Sequence, residues 1–144
     1  MGSFSGICLE LGIGIAIGML AGTTGTHGSA RGRMTILAGV IALVIGFLLA
    51  GSVDVSTPAG AIVCLIGAVF ACLVVSDVVS GAGRREGGGG GALGFLVSVA
   101  ALIVLAIALL LKPAVLVVLA ALIWLAISRR RRAQRKHAGL RVLR

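Results

Sequence analysis

The sequence predicts an all-α, polytopic integral membrane protein with five transmembrane helices, its N-terminus outside and its C-terminus inside. Three observations predict it. The 144 residues are 59% hydrophobic and only 12% charged, with a mean hydropathy of +1.20; a soluble domain carries about 25% charged residues. Five apolar runs can be drawn, and a run of about 20 residues covers the roughly 30 Å of bilayer hydrocarbon. Lys and Arg are confined to a few places between and after those runs, eight of the thirteen lying in Arg129–Arg144.

The first run, Ile7–Gly22, organises the chain. Gly14, Gly18 and Gly22 recur every fourth residue and form one stripe on a helix, with Glu10 one step back on the same line. In water each glycine would cost a helix about 1 kcal/mol relative to alanine. In lipid the backbone must bond to itself, so the helix persists and the stripe admits a neighbouring backbone. The loop Thr23–Arg33 is small, polar and turn-forming.

The second run, Met34–Gly51, repeats the device with Ala38, Ala42, Gly46 and Ala50. Gly51–Pro58 connects it to the third run, Pro58–Val79, with Thr57 placed as an N-cap. That run carries Gly60, Cys64, Ala68, Cys72 and Ser76 at the same spacing. Three such stripes predict a tightly packed trio, or self-association through a stripe left over. The helix-packing candidates are Gly14, Gly18, Gly22, Ala42, Gly46, Gly60 and Ala68.

Residues 81–91 are read as a glycine-rich cytoplasmic linker, separating a three-helix unit, 1–80, from a hairpin, 92–128. The hairpin consists of the fourth run, Ala92–Leu111, and the fifth, Pro113–Ser128, both Leu-, Ile-, Val- and Ala-rich all round like lipid-facing spans. As one helix its 37 residues would reach about 55 Å; Lys112-Pro113 supplies the turn, since proline suits a first helical position and disfavours helix before it. Residues 129–144 form a basic cytoplasmic tail, in which Arg129, Arg130, Arg131, Arg132, Arg135 and Lys136 meet anionic lipid headgroups. Trp124, one turn before Arg129, suits the headgroup level.

Charge sets the count and the orientation. With five spans and the tail inside, Arg31, Arg33, Arg84 and Arg85 are inside too, leaving the N-terminus, Asp54 and Lys112 outside. Four spans would put both arginine pairs outside. The tail has no interleaved aromatic residue for base stacking, so nucleic acid is not a predicted partner. No basic region precedes the first run, so no cleavable signal peptide is predicted. Two Lys amid abundant Arg, Ala, Gly and Val point to a GC-rich bacterial genome, hence to a bacterial cytoplasmic membrane.

Residues 1–80 resemble the transglycosylase-associated (GlsB-like) family of small glycine-rich bacterial membrane proteins. The resemblance is carried by Gly14-x-x-x-Gly18-x-x-x-Gly22 with its polar loop, by Met34-Thr-Ile-Leu-Ala-Gly39 with Gly46, and by Gly60-Ala-Ile-Val-Cys-Leu-Ile-Gly67-Ala68. It implies three glycine-rich helices and an association with envelope stress responses, without catalysis and without binding residues to carry over. Glu10, Asp77 and everything from Ala92 onward depart from the family pattern.

Chemistry has few candidates. Glu10, an ionisable residue in a membrane segment, is a candidate ion or proton site; it lies about a turn from the outer face, where a carboxylate also suits a helix N-terminus. Asp77 reads as a boundary acid pairing with Arg84 and Arg85. His27 and His137 have no ligand-spaced neighbours, Cys8, Cys64 and Cys72 read as small apolar contacts, and no His-Asp pair supports a nucleophile. Gly87–Gly91 lacks the Lys-Ser/Thr ending of a phosphate loop. No enzyme activity, cofactor or metal is predicted. The functions that remain are a packing or oligomer-forming envelope protein, alone or as a membrane-complex subunit, a small transporter or channel subunit using Glu10, and a holin-like pore former.

Overall fold

A computed structural model describes residues 2–24, 28–50, 57–86 and 90–138, and all of these but Leu111 lie in helices. In chain order they are α1 (Gly2–Thr24), α2 (Gly28–Ala50), α3 (Thr57–Glu86), α4 (Gly90–Leu110), a 3-10 turn (Lys112–Ala114) and α5 (Val115–Ala138). The chain is thus all-helical, and its five α-helices correspond to the five apolar runs.

The helix ends differ from the sequence-based boundaries. The second helix begins at Gly28, so Gly28–Arg33 belongs to it rather than to a loop. The third runs on to Glu86 and the fourth begins at Gly90, so most of the 81–91 linker is helical. The basic tail is helical as far as Ala138. In each case an established helix adds one hydrogen bond for each residue it fixes, and continues through glycine or polar residues that could not nucleate one. The Gly51–Pro58 connection lies mostly outside the described residues, as does His27.

α1 and α3 form the centre and run parallel, with α2 packed antiparallel to them. Thr35 lies beside Cys72, Gly39 beside Leu65 and Val69, and Gly46 beside Ala61 and Cys64, a descending order along α3. α4 begins near the end of α3, three residues on, and brings Ala108 against Gly12 of α1. The chain then turns. The Ala114 amide donates to the Leu111 carbonyl at 2.8 Å, and Val115 opens α5 against Gly12. At its far end Arg129 reaches the Asp77 carbonyl on α3, so α5 runs back parallel to α1 and α3. The reversal falls at Lys112–Ala114.

The core joins small residues to a cluster of larger ones, Leu11, Ile15, Met19, Val75, Val79, Val104 and Val115. Ala16, Ala38, Ala42, Ala61, Ala68, Ala71, Ala101 and Ala108 are buried, with Cys8, Cys64 and Cys72. Many other large side chains point outward: Phe47, Leu48, Phe95, Leu110, Val117 and Trp124 are each at least 60% exposed. That is the reverse of a protein that folds in water, where such faces would be covered. Hydrocarbon solvates them instead. α1, α2 and α3 are long and apolar enough to cross a membrane, over Phe4–Thr24, Gly32–Leu49 and Pro58–Gly81, whereas the apolar parts of α4 and α5 are shorter. The chain therefore has the surface and the helices of a membrane protein. α4 is not lipid-facing all round, because Ala101, Val104 and Ala108 form a buried face against the α1–α3 core.

Candidate functional site

The site is the contact of α1 with α3. Its sequence signal is two small-residue stripes, which meet in register: Glu10 on Gly60, Gly14 on Cys64, Gly18 on Ala68 and Gly22 on Cys72. Each α1 position meets the residue fifty further along the chain, and four-residue steps hold the two lines together through three turns.

Hydrogen in place of a side chain is what permits this approach. A β-carbon on Gly14 would overlap the Cys64 carbonyl oxygen and stand 2.9 Å from its carbon. One on Gly18 would overlap the Ala68 oxygen and stand 2.8 Å from its carbon. One on Gly22 would stand 2.9 Å from Val75 Cβ and 3.0 Å from the Cys72 oxygen. α2 lies across the other side of α3, where a β-carbon on Gly46 would be 2.9 Å from both Ala61 Cα and Cys64 Cβ. Ala42 is wholly buried in a second cluster with Cys64 and Ala68, flanked by Ile13 and Ile17. The described residues of the stripes on α1, α2 and α3 are thus used within one chain.

Glu10 stands at one end of this seam, opposite Gly60 near the start of α3. α1 begins at Gly2, five residues before the apolar run, so Glu10 lies in its third turn rather than one turn in. Its exposure is 0%, and it does not reach the surface. Neither carboxyl oxygen has a hydrogen-bond partner among the described residues. The carboxyl rests on the Cα of Gly60, where a β-carbon would coincide with it. Cys8, two residues back, and Cys64, one turn beyond Gly60, are buried free thiols.

The other candidates are dispersed. Asp77 is exposed in the last third of α3, where its carbonyl accepts Arg129 Nη1 at 2.8 Å. The Arg84 and Arg85 side chains expected beside it lie outside the described ones, as do those of His137, Arg130, Arg132, Arg135 and Lys136. By backbone position, the start of α2, the end of α3 and the basic part of α5 share one end of the bundle. Lys112 is at the other.

Sequence reasoning missed three contacts. Gly12, off the four-residue stripe, is where Ala108 and Val115 seat the last two helices on α1. Gly67 takes the Leu11 backbone, with a β-carbon there only 3.0 Å from the Leu11 oxygen. The pairing Gly12-Ile-Gly14 was the available signal, since two glycines two apart face different neighbours on a helix. The Thr35 hydroxyl lies 3.6 Å from the Cys72 thiol across α2 and α3, with no sequence signal at all.

No protein-family model, curated protein or solved structure matches this chain.

Proposed function

We propose that the chain is a non-enzymatic, multi-pass protein of the bacterial cytoplasmic membrane, a packed helical unit that works as an oligomer or as a subunit of a membrane complex. The observation that carries this reading is the large exposed apolar surface, with Phe47, Leu48, Phe95, Leu110, Val117 and Trp124 outside while glycine, alanine and cysteine line the contacts among α1, α2 and α3. With the internal stripes spent, assembly with other chains falls to those large apolar faces. The resemblance of residues 1–80 to the transglycosylase-associated family supports a role in envelope stress.

All five helices cross in this reading. The apolar stretches of α4 and α5, Gly94–Leu110 and Val115–Arg129, are at or below the usual length, and Arg129 and its neighbours extend the second by snorkelling. The shared basic end lies on the cytoplasmic side, against anionic headgroups. Cysteine accessibility tests the topology, with single cysteines at Ser3, Ser56 and Gly89 in a background lacking Cys8, Cys64 and Cys72. Labelling from outside at Ser3 and Ser56 but not at Gly89 is expected. The opposite pattern overturns the orientation and the five-span count together.

The burial of Glu10 without a partner favours a second reading, a small carrier or channel subunit with this carboxyl as its coupling group. Ion or substrate uptake into vesicles, compared with Glu10→Gln, decides it; unchanged flux removes it.

A further inference from the structure

Of the two acidic side chains described, Asp77 is exposed and Glu10 is sealed inside the bundle. Among the described residues neither carboxyl oxygen of Glu10 has a hydrogen-bond partner. Across the seam α3 presents the bare Cα of Gly60 and, a turn on, the thiol of Cys64. On its own helix the nearest titratable group is Cys8. α2 closes the same region with Gly46 against Ala61 and Cys64, and α4 and α5 meet α1 at Gly12 through Ala108 and Val115. Among the described residues the basic one at this end is Lys112, in the 3-10 turn between α4 and α5.

An ionised carboxylate without a partner in apolar surroundings is among the costliest groups a protein can bury, at several kcal/mol or more. The carboxyl is tolerable there with a cation held on one oxygen. A hard metal ion takes about six oxygen ligands or more. The carboxyl already lies where a β-carbon of Gly60 would stand, so no such shell fits between it and the Gly60 backbone. A proton needs one oxygen and no further ligand.

We propose that Glu10 is a proton-binding site within the bundle, loaded while α1 and α3 are in contact at Gly60 and emptied only when they part there. Opening admits water, which takes the proton from the carboxyl; the carboxylate left behind is solvated until it is reprotonated and the seam closes. The proposal uses the carboxyl of the carrier reading but requires no net flux, so the two can fail separately.

The test is infrared spectroscopy of the full-length protein in lipid vesicles, with 13C-labelled glutamate. The chain has two glutamates, Glu10 and Glu86, so Glu86→Gln leaves a single labelled carboxyl without disturbing the seam. At pH 7 a glutamate in water, with a pKa of about 4.3, is almost wholly ionised. The expected result is the isotope-shifted carbonyl stretch of a protonated carboxyl at pH 7, unaffected by sodium and by Lys112→Met, and moved by deuterium exchange far more slowly than for an exposed acid. A carboxylate band at pH 7 overturns the proposal, whether it marks an ion pair with Lys112 or ordinary solvation. A protonated band that sodium titrates away overturns the proton as the specific ligand. A sodium-independent protonated band with no effect of Glu10→Gln on flux leaves the site standing and removes the carrier.

Discussion

The Cα of Gly18 faces the backbone carbonyl of Ala68 with no side chain between them, and a β-carbon there would stand 2.8 Å from the carbonyl carbon. Backbone cannot swing aside as a side chain can. Gly18→Ala therefore has to separate α1 from α3, and overpacking of this kind costs about 1–3 kcal/mol. Gly32, at the start of α2, has nothing within 4 Å of the same added carbon. Gly32→Ala should be neutral or stabilise by up to about 1 kcal/mol through helix propensity. Unfolding of both variants in mild detergent checks the contrast. Equal effects would mean that the seam is not as close as described.

Glu10 and Gly60 should be energetically coupled. Gly60→Ala places a methyl where the carboxyl lies, and is expected to destabilise the bundle by about 1–3 kcal/mol. Shortening the opposite side chain should relieve the overlap, so that Glu10→Ala with Gly60→Ala is more stable than the sum of the single effects predicts. Coupling between residues in contact is typically about 0.5–3 kcal/mol. A double-mutant cycle measures it, and additive effects would separate the two residues.

Much of this seam is legible in the sequence, because spacing alone puts Gly14, Gly18 and Gly22 on one helix face and Gly60, Cys64, Ala68 and Cys72 on another. Register is not. A four-residue stripe can slide by four and still present small residues, and what fixes the offset of fifty lies elsewhere: the Leu11 backbone against Gly67 and the seating of Ala108 and Val115 on Gly12. The helix ends were hidden for another reason. Turn-forming residues such as Gly28 and Gly81 mark breaks when a helix must start there, but they are carried along when a packed neighbour extends it. The burial of Glu10 followed from both, since its depth depends on where α1 begins and its cover on which α3 residue arrives opposite.

Cys8, Cys64 and Cys72 are each no more than 1% exposed and are free thiols. The folded protein should therefore react with none of them when offered a polar maleimide, and with all three once denatured. Counting labels by mass against denaturant gives an unfolding curve for the three-helix core without any added probe. Labelling of Cys64 under native conditions would mean that α2 does not cover α3 at Gly46.

Arg129 holds the end of α5 to α3. Its Nη1 donates to the Asp77 carbonyl at 2.8 Å and lies 3.5 Å from where a β-carbon of Gly81 would be. The bond is at the exposed end of the bundle, so its loss should change global stability by no more than about 1 kcal/mol. Its effect on position should be larger, since the other core contacts of α5, through Val115, Val118, Leu119 and Leu122, lie in its first third. With spin labels at Ala82 and Arg131, the parent protein should give one narrow distance distribution. Arg129→Ala should broaden it, and Arg129→Lys should restore it only in part, because a lysine ammonium lacks the planar fork of the guanidinium. An unchanged distribution in Arg129→Ala would show that the end of α5 is held by other contacts, and would free the basic helix to follow the membrane surface instead of the bundle.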